Sequence, residues 1–135
     1  MIRYTTDLEF LKVDHLNGFF VGWANPPSKE TFIRILKGSY KVILALENKK
    51  VVGFMSAVSD GVLSAYIPLL EVLPEYQSKG IGRELTTKML DELSHLYMID
   101  LLCDDELVAY YEKLGMQKAT GAMIRNYENQ CEHKT

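Results

Sequence analysis

Cysteine is scarce in this chain of 135 residues: Cys103 and Cys131 are the whole supply, and neither has a His or Cys at ligand spacing. A disulfide scaffold and a thiolate metal site are therefore excluded, and two lone thiols fit a reducing compartment, the cytoplasm. Long apolar runs are missing too. No stretch approaches the roughly 18 residues a membrane helix needs, and Met1 to Asp7 lacks the apolar core of an export signal. Nor is there an excess of positive charge. Fifteen Lys and Arg face 18 Asp and Glu, for a net charge of −3, with no polybasic run; this argues against a general nucleic-acid binder and against a membrane surface as partner. The three histidines, His15, His95 and His133, are scattered, so they are expected in solvent and not as metal ligands or part of a triad. No repeat or low-complexity segment occurs. What remains, 47% hydrophobic and 24% charged, is enough for one core. A single domain over 1–128 is expected, followed by a polar tail over 129–135.

Hydrophobic periodicity divides that domain into elements. Ile2 to Tyr4 reads as a short strand, and Asp7 as the cap of a helix carrying Leu8, Phe10, Leu11 and Leu16 up to Asn17-Gly18. Phe19 to Pro27 is apolar but interrupted by Gly22, Pro26 and Pro27, hence a packed loop. Ser28 caps a helix with Phe32, Ile33 and Leu36 on one face, ending at Gly38-Ser39. Strands follow over 40–47, 51–58 and 62–73, joined by turns at Asn48 to Lys50 and Ser59 to Gly61. A helix from Gly80 presents Ile81, Leu85, Met89, Leu90 and Leu93 on one side. Tyr97 to Cys103 predicts a central strand buried on both faces. Asp104 or Asp105 caps a helix that stops at Gly115, and Lys118 to Tyr127 predicts a last strand. Hairpins with one crossover imply an α/β (α+β) fold: a mixed sheet with helices on both faces.

The most informative stretch is Leu70-Glu71-Val72-Leu73-Pro74-Glu75-Tyr76-Gln77-Ser78-Lys79-Gly80-Ile81-Gly82-Arg83. A strand passes through a turn with two glycines straight into a helix. The first N–H groups of that helix have no internal acceptor, Gly80 and Gly82 put no Cβ in a ligand's way, and Lys79 and Arg83 add to the dipole's partial charge of about +0.5. An anion such as a phosphate suits this place. The spacing fits neither a P-loop nor a GxGxxG turn, which leaves Gln-x-x-Gly-x-Gly. The same charges also read as ordinary surface residues, and the pattern alone is common.

A second motif, Ala109-Tyr110-Tyr111-Glu112-Lys113-Leu114-Gly115-Met116, lies about thirty residues on. Together with Val72, Pro74, Tyr76, Gln77, Gly80 and Gly82, in this order and context, it resembles the GNAT superfamily of acetyl-CoA-dependent N-acetyltransferases over most of the chain. Met116 stands where that family has Phe. The resemblance implies a mostly antiparallel central sheet of 6–7 strands. It also implies acetyl-CoA as co-substrate without a metal, and a primary amine acceptor: a small molecule, a lysine or an N-terminal amine. Relatives are often dimers, so a homodimer is among the expected partners.

Residue by residue, the resemblance implies that the backbone of Gln77, Ser78, Lys79, Gly80, Ile81, Gly82 and Arg83 cradles the pyrophosphate of coenzyme A. The strand backbone at Leu70, Glu71 and Val72 would pair with the pantetheine arm. Tyr111 would be the general acid that protonates the departing thiolate; a phenol of pKa about 10 can donate to a thiolate not far below it. Many relatives have Asn where this chain has Asp104, a residue that also reads as a helix cap. No carboxylate matches the glutamate that some members use as base, and the corresponding strand position is Tyr66. Tyr66 with a water, Glu71 and Asp100 are all candidates for relaying the amine's proton. Gly22-Trp23 with the nearby prolines, Leu36 to Tyr40 and Leu102-Cys103-Asp104-Asp105 resemble, more weakly, plastid and cyanobacterial serotonin (arylalkylamine) N-acetyltransferases. That likeness would place Phe19, Phe20 and Trp23 in an acceptor pocket, although they read equally well as core. Tyr110 reads as packing, and Cys103 as a small buried hydrophobe. A rival function is a coenzyme A-binding sensor that keeps the fold without turnover.

Overall fold

The computed structural model describes residues 1–131; the last four positions of the predicted tail, His133 among them, lie outside the described residues. Five strands form one sheet in chain order: β1 (Ile2–Thr5), β2 (Lys41–Glu47), β3 (Lys50–Ser59), β4 (Ser64–Val72) and β5 (Met98–Asp100). The first four make an antiparallel meander, and β5 joins β4 in parallel. That parallel step is the one crossover, made by helix α2 (Ile81–Glu92). Helix α1 (Lys29–Gly38) begins at Ser28, whose side chain accepts from the Thr31 N–H as a cap should. A short helix, α3 (Val108–Glu112), follows β5.

The alternation of β2 sorts its side chains into two cores. Ile43 and Ala45 join Val52, Met55, Leu85, Met89 and Leu93 under α2, while Val42, Leu44 and Leu46 join Phe32, Leu36 and Phe54 under α1. Helices thus cover both faces. Val51 and Phe54 share a face despite their odd spacing because a bulge shifts the register between Ala45 and Leu46. Gly53, beside that bulge, faces α2 directly: a Cβ there would lie 3.3 Å from both Ile81 Cγ2 and Leu85 Cδ1.

Four expectations need correction. The segment 7–16 is not a helix; its one regular turn is Val13–His15. Side chains capture its backbone, with Asp7 Oδ1 accepting from Glu9 N–H and His15 Nδ1 from Lys12 N–H, while Leu11 and Leu16 still reach the core. The strand predicted from residue 62 starts at Ser64, because Asp60 Oδ1 accepts from the N–H groups of Val62, Leu63 and Ser64 and curls the chain there. Among the described residues the sheet has five strands, not 6–7: Lys118 to Tyr127 is irregular and exposed, and Thr120-Gly121-Ala122 offers little side-chain area to bury. Consequently β5 is a three-residue edge strand, not a central one. Met98 is 40% exposed, and Cys103, predicted to be buried, is exposed.

Candidate active site

β4 and β5 pair only over Ser64–Met98, Ala65–Ile99 and Tyr66–Asp100. Beyond that last rung β4 runs on to Val72, held by β3, while the other chain turns away after Asp100. The two strands therefore part into a wedge, leaving the outer edge of β4 from Ile67 onward without a strand. Tyr66 and Asp100 stand at its apex. Leu70, Glu71 and Val72 lie along its side, and an extended ligand arm can pair with such an edge. One carbonyl is already in use, since Gln77 Nε2 donates to Val72 O at 3.0 Å.

The chain leaves β4 through the turn Pro74–Tyr76, which is held from two sides. Tyr76 Oη donates to Glu47 Oε1 at 2.6 Å, and this bond raises the Tyr76 pKa. Its ring also carries the ammonium groups of Lys50 at 5.4 Å and Lys79 at 5.3 Å. Lys79 is thus partly committed to an aromatic face, while Arg83 stays exposed. Ser78 and Gly80 are both left-handed, at φ +64° and +82°. Glycine pays little for this and serine more, so Ser78 marks a strained turn. The first internal bond of α2 runs from Glu84 N–H to Gly80 O. Among the described residues the N–H groups of Ser78 through Arg83 have no acceptor. A Cβ added at Gly80 would meet nothing, and one at Gly82 would make only ordinary 3.8 Å contacts. The open turn, the free donors and the adjacent β4 edge fit a phosphate-bearing ligand with an extended arm.

Helix α3 places its two tyrosines differently. Tyr110 faces α2: its hydroxyl would be 3.8 Å from a Cβ on Gly82. Burial raises its pKa, while a hydrogen bond with Thr86 and the Arg83 charge oppose the rise. Tyr111, edge-on to Tyr110 at 5.1 Å, lies instead in a cleft of about 120 Å³ with Leu101, Leu102, Cys103 and Val108. Met116 to Ala119 form its far wall. Burial chiefly, then Tyr110 and Cys103, pushes the Tyr111 pKa up to about 12. Asp104 stands at the start of the turn before α3 but makes no side-chain cap; the bond there is from Leu107 N–H to its backbone oxygen.

Phe19 and Phe20 are core residues first. Phe20 is 5% exposed, 4.8 Å from the Phe32 ring, and Phe19 stacks edge-on against Phe32 and Phe54. Trp23, on Phe20 at 4.9 Å, keeps 39% exposure and is the member of the three with most surface to offer. What pattern reading missed is the clamp on this loop: Glu71 Oε1 accepts from Phe20 N–H at 2.9 Å and Oε2 from Val21 N–H at 3.3 Å. Phe20 sits at φ +63° there. A carboxylate that holds two loop amides is a poor choice for the relay base. No sequence signal nearby could have revealed a pairing fifty residues apart. The place of Cys103 in the Tyr111 cleft was likewise obscured by the strand prediction.

This combination of a parted β4–β5 pair, a left-handed turn feeding α2 and a tyrosine helix beyond it defines a class. Residues 15–128 match the acetyltransferase (GNAT) domain, and the chain belongs to that family. Among curated relatives, the uncharacterized N-acetyltransferase ycf52 of Pyropia yezoensis is 30% identical over 103 residues, which is 73% of this chain and 59% of that protein. GCN5-related N-acetyltransferase 1, chloroplastic, of Arabidopsis thaliana is 28% identical over 120 residues, 85% of this chain and 60% of that one. The chain spans about six-tenths of the length of these relatives. Among solved structures, a candidate acetyltransferase from Deinococcus radiodurans R1 is 47% identical, with a TM-score of 0.92 over 96% of this chain and 91% of that one. A GNAT-family acetyltransferase from Streptococcus pneumoniae TIGR4 is 28% identical, with a TM-score of 0.72 over 93% and 97%. These likenesses do not single out the serotonin-type subgroup. No helix among the described residues is long and apolar enough to cross a membrane.

Proposed function

We propose that this acetyltransferase moves an acetyl group from acetyl-CoA to a primary amine by direct attack in a ternary complex. The observation that carries this reading is the wedge: β4 offers an unpaired edge that ends in a turn of free N–H groups at the start of α2. A thioester linked through pantetheine to a pyrophosphate has the shape to use both. The backbone of Ser78 to Arg83 would hold the phosphates, and Leu70 and Glu71 the arm. The Val72 carbonyl would join only if Gln77 releases it.

Tyr111 acts on the thiolate as it leaves. At a pKa of about 12 the phenol stays protonated throughout the working range, so a donor is always present. Complete transfer to a thiolate of pKa about 8.5 would run uphill by several units at about 1.4 kcal/mol each. Tyr111 therefore stabilises the thiolate by a strong hydrogen bond, with the proton following from solvent or from the nitrogen of the attacking amine through the relay. Tyr66 and Asp100, at the apex, are better placed than Glu71 to relay the proton that the amine must lose. The acceptor enters beside Trp23, whose exposed ring suits an aromatic or aliphatic amine, with the serotonin-type subgroup as one source of candidates. The reaction belongs to the cytoplasm or a comparable reducing compartment.

The test is coenzyme A release from acetyl-CoA against arylalkylamines, polyamines, aminoglycosides, amino acids and lysine peptides, with Tyr111→Phe alongside. Turnover with one class, lowered at least 10-fold in the variant, is expected. Saturable acetyl-CoA binding with no turnover on any amine would replace the enzyme by the sensor reading.

A further inference from the structure

A chain of contacts joins the two strands that part at the wedge. On the β4 side, Glu71 holds the loop at Phe20 and Val21. The loop then turns through Phe20 and Gly22, at φ +63° and +83°, with Trp23 N–H bonded back to Phe20 O at 3.2 Å. Its last donor is the Asn25 N–H, because Pro26 and Pro27 have none. That donor goes to Gln130 Oε1 at 3.0 Å, a pairing across 105 positions. From Gln130 the chain leads back through the turn Tyr127–Asn129 and an exposed arm to Gly121. Gly121 packs so tightly on Leu102 that a Cβ would lie 2.9 Å from Leu102 Cδ2. Leu102 stands just past the end of β5. The circuit thus starts on β4 and ends at β5, around the open side of the wedge.

Among the described residues the backbone of 118–125 makes no bond to other backbone, so the arm depends on the fastenings at its two ends. We infer that Gln130 is a positioning residue for the acceptor: it is the clasp of a ring that bounds the mouth of the site and admits a small free amine but not a lysine on a folded protein. This rests on the acetyltransferase reading above. Trp23 lies on the loop between the Glu71 and Gln130 fastenings, so its exposed ring is held in place only while both are made. The root of the arm, Gln117 to Ala119, is a wall of the Tyr111 cleft, so the ring also meets the side from which the thiolate leaves. An amine must pass within this ring to reach a thioester laid along β4. A small amine does so alone, whereas the short stem of a lysine would bring its own main chain and neighbours against loop and arm.

Trp23 is the chain's only tryptophan, so its fluorescence reports on the loop without any turnover. Gln130→Leu keeps much of the side chain's size but cannot accept a hydrogen bond, whereas Gln130→Glu still can. Acrylamide quenching of Trp23 should rise in Gln130→Leu and stay at the wild-type value in Gln130→Glu. In initial-rate kinetics with the best amine of the panel above, the Michaelis constant for the amine should rise about 3- to 10-fold in Gln130→Leu, the worth of one hydrogen bond, with that for acetyl-CoA unchanged. The wild-type protein should acetylate that amine and leave the lysines of folded lysozyme untouched, as read by mass spectrometry. Equal quenching in all three proteins would overturn the clasp, and an unmoved amine constant in Gln130→Leu would overturn the positioning role. Lysozyme lysines acetylated as fast as the free amine would overturn the acceptor class. No turnover on any amine would remove the acetyltransferase reading and the acceptor class with it, while quenching would still decide the clasp.

Discussion

Gly82 separates a ligand cradle from a mere structural turn. In the folded chain a methyl at this position meets Tyr110 Oη and Val72 Cγ2 at 3.8 Å, ordinary contact distances, and Gly82 is not among the glycines at positive φ. The protein itself therefore has no need of glycine here. Gly82→Ala should be neutral or gain up to about 1 kcal/mol from helix propensity and a less flexible unfolded chain. For a domain of this size that is a rise in Tm of roughly 3–5 °C at most. If the backbone is the surface on which a pyrophosphate rests, the same methyl stands between the donors and the phosphates. Acetyl-CoA affinity should then fall by about 10-fold or more. Gly82→Asp adds a like charge. At about 5 Å and an effective dielectric near 20 the repulsion is about 3 kcal/mol per phosphate charge, a further loss of at least roughly 100-fold. Thermal melts and calorimetric titration with acetyl-CoA, run on both variants, measure the two effects separately. Unchanged affinity in Gly82→Asp would refute the cradle, and a Gly82→Ala protein that melts lower would refute the reading of the space around it.

Two other outcomes follow from the site. Glu71→Gln keeps the shape but donates where the loop amides need an acceptor, so one of the bonds to Phe20 and Val21 is lost. The Michaelis constant for the amine should rise several-fold with that for acetyl-CoA little changed, in initial-rate kinetics with each substrate varied; equal changes in both would mean that Glu71 does not position the acceptor loop. Tyr111 has a folded pKa near 12 against about 10 unfolded, so the native state holds its proton longer. Its contribution is intact below about pH 10 and is lost as pH rises toward 12, which should give a downward slope of stability that Tyr111→Phe lacks. The same phenol predicts no activity loss from its ionisation below about pH 11, and an alkaline limb near pH 9 that vanishes in Tyr111→Phe would contradict it.

Elements that carry their own caps and periodicity were legible in the chain. Ser28 capping α1, the apolar face of α2 and the paired strands β2 and β3 are set by nearest neighbours along the sequence. The misreadings share a cause: local side-chain bonds or absent partners override pattern. Asp7 and His15 take backbone donors that a helix would have used, and Asp60 does the same before β4. The segments 97–103 and 118–127 are each strand-like, but a strand exists only against an edge, and pairing is not written in either segment alone. At the site, the turn at Gly80 was legible because left-handed backbone selects glycine. The Glu71 clamp was not, since nothing in a single sequence links residues fifty positions apart.

The signature residues before α2 have a common logic once their contacts are known. Tyr76 spends its hydroxyl on Glu47 and its ring on two lysines, and Gln77 spends its amide on Val72 O. These bonds fasten the turn to β2 and β4, while the backbone N–H groups of Ser78 to Arg83 are left without an acceptor among the described residues. A turn that bound its ligand through these side chains would have to reorganise on binding. A turn pinned by them presents amides already in place, and the ordering cost is met during folding. The strain at Ser78, φ +64°, fits the same scheme, for a left-handed serine persists only where its surroundings overdetermine it. The binding chemistry of such a site then lies in main-chain atoms, and its side chains are the scaffold.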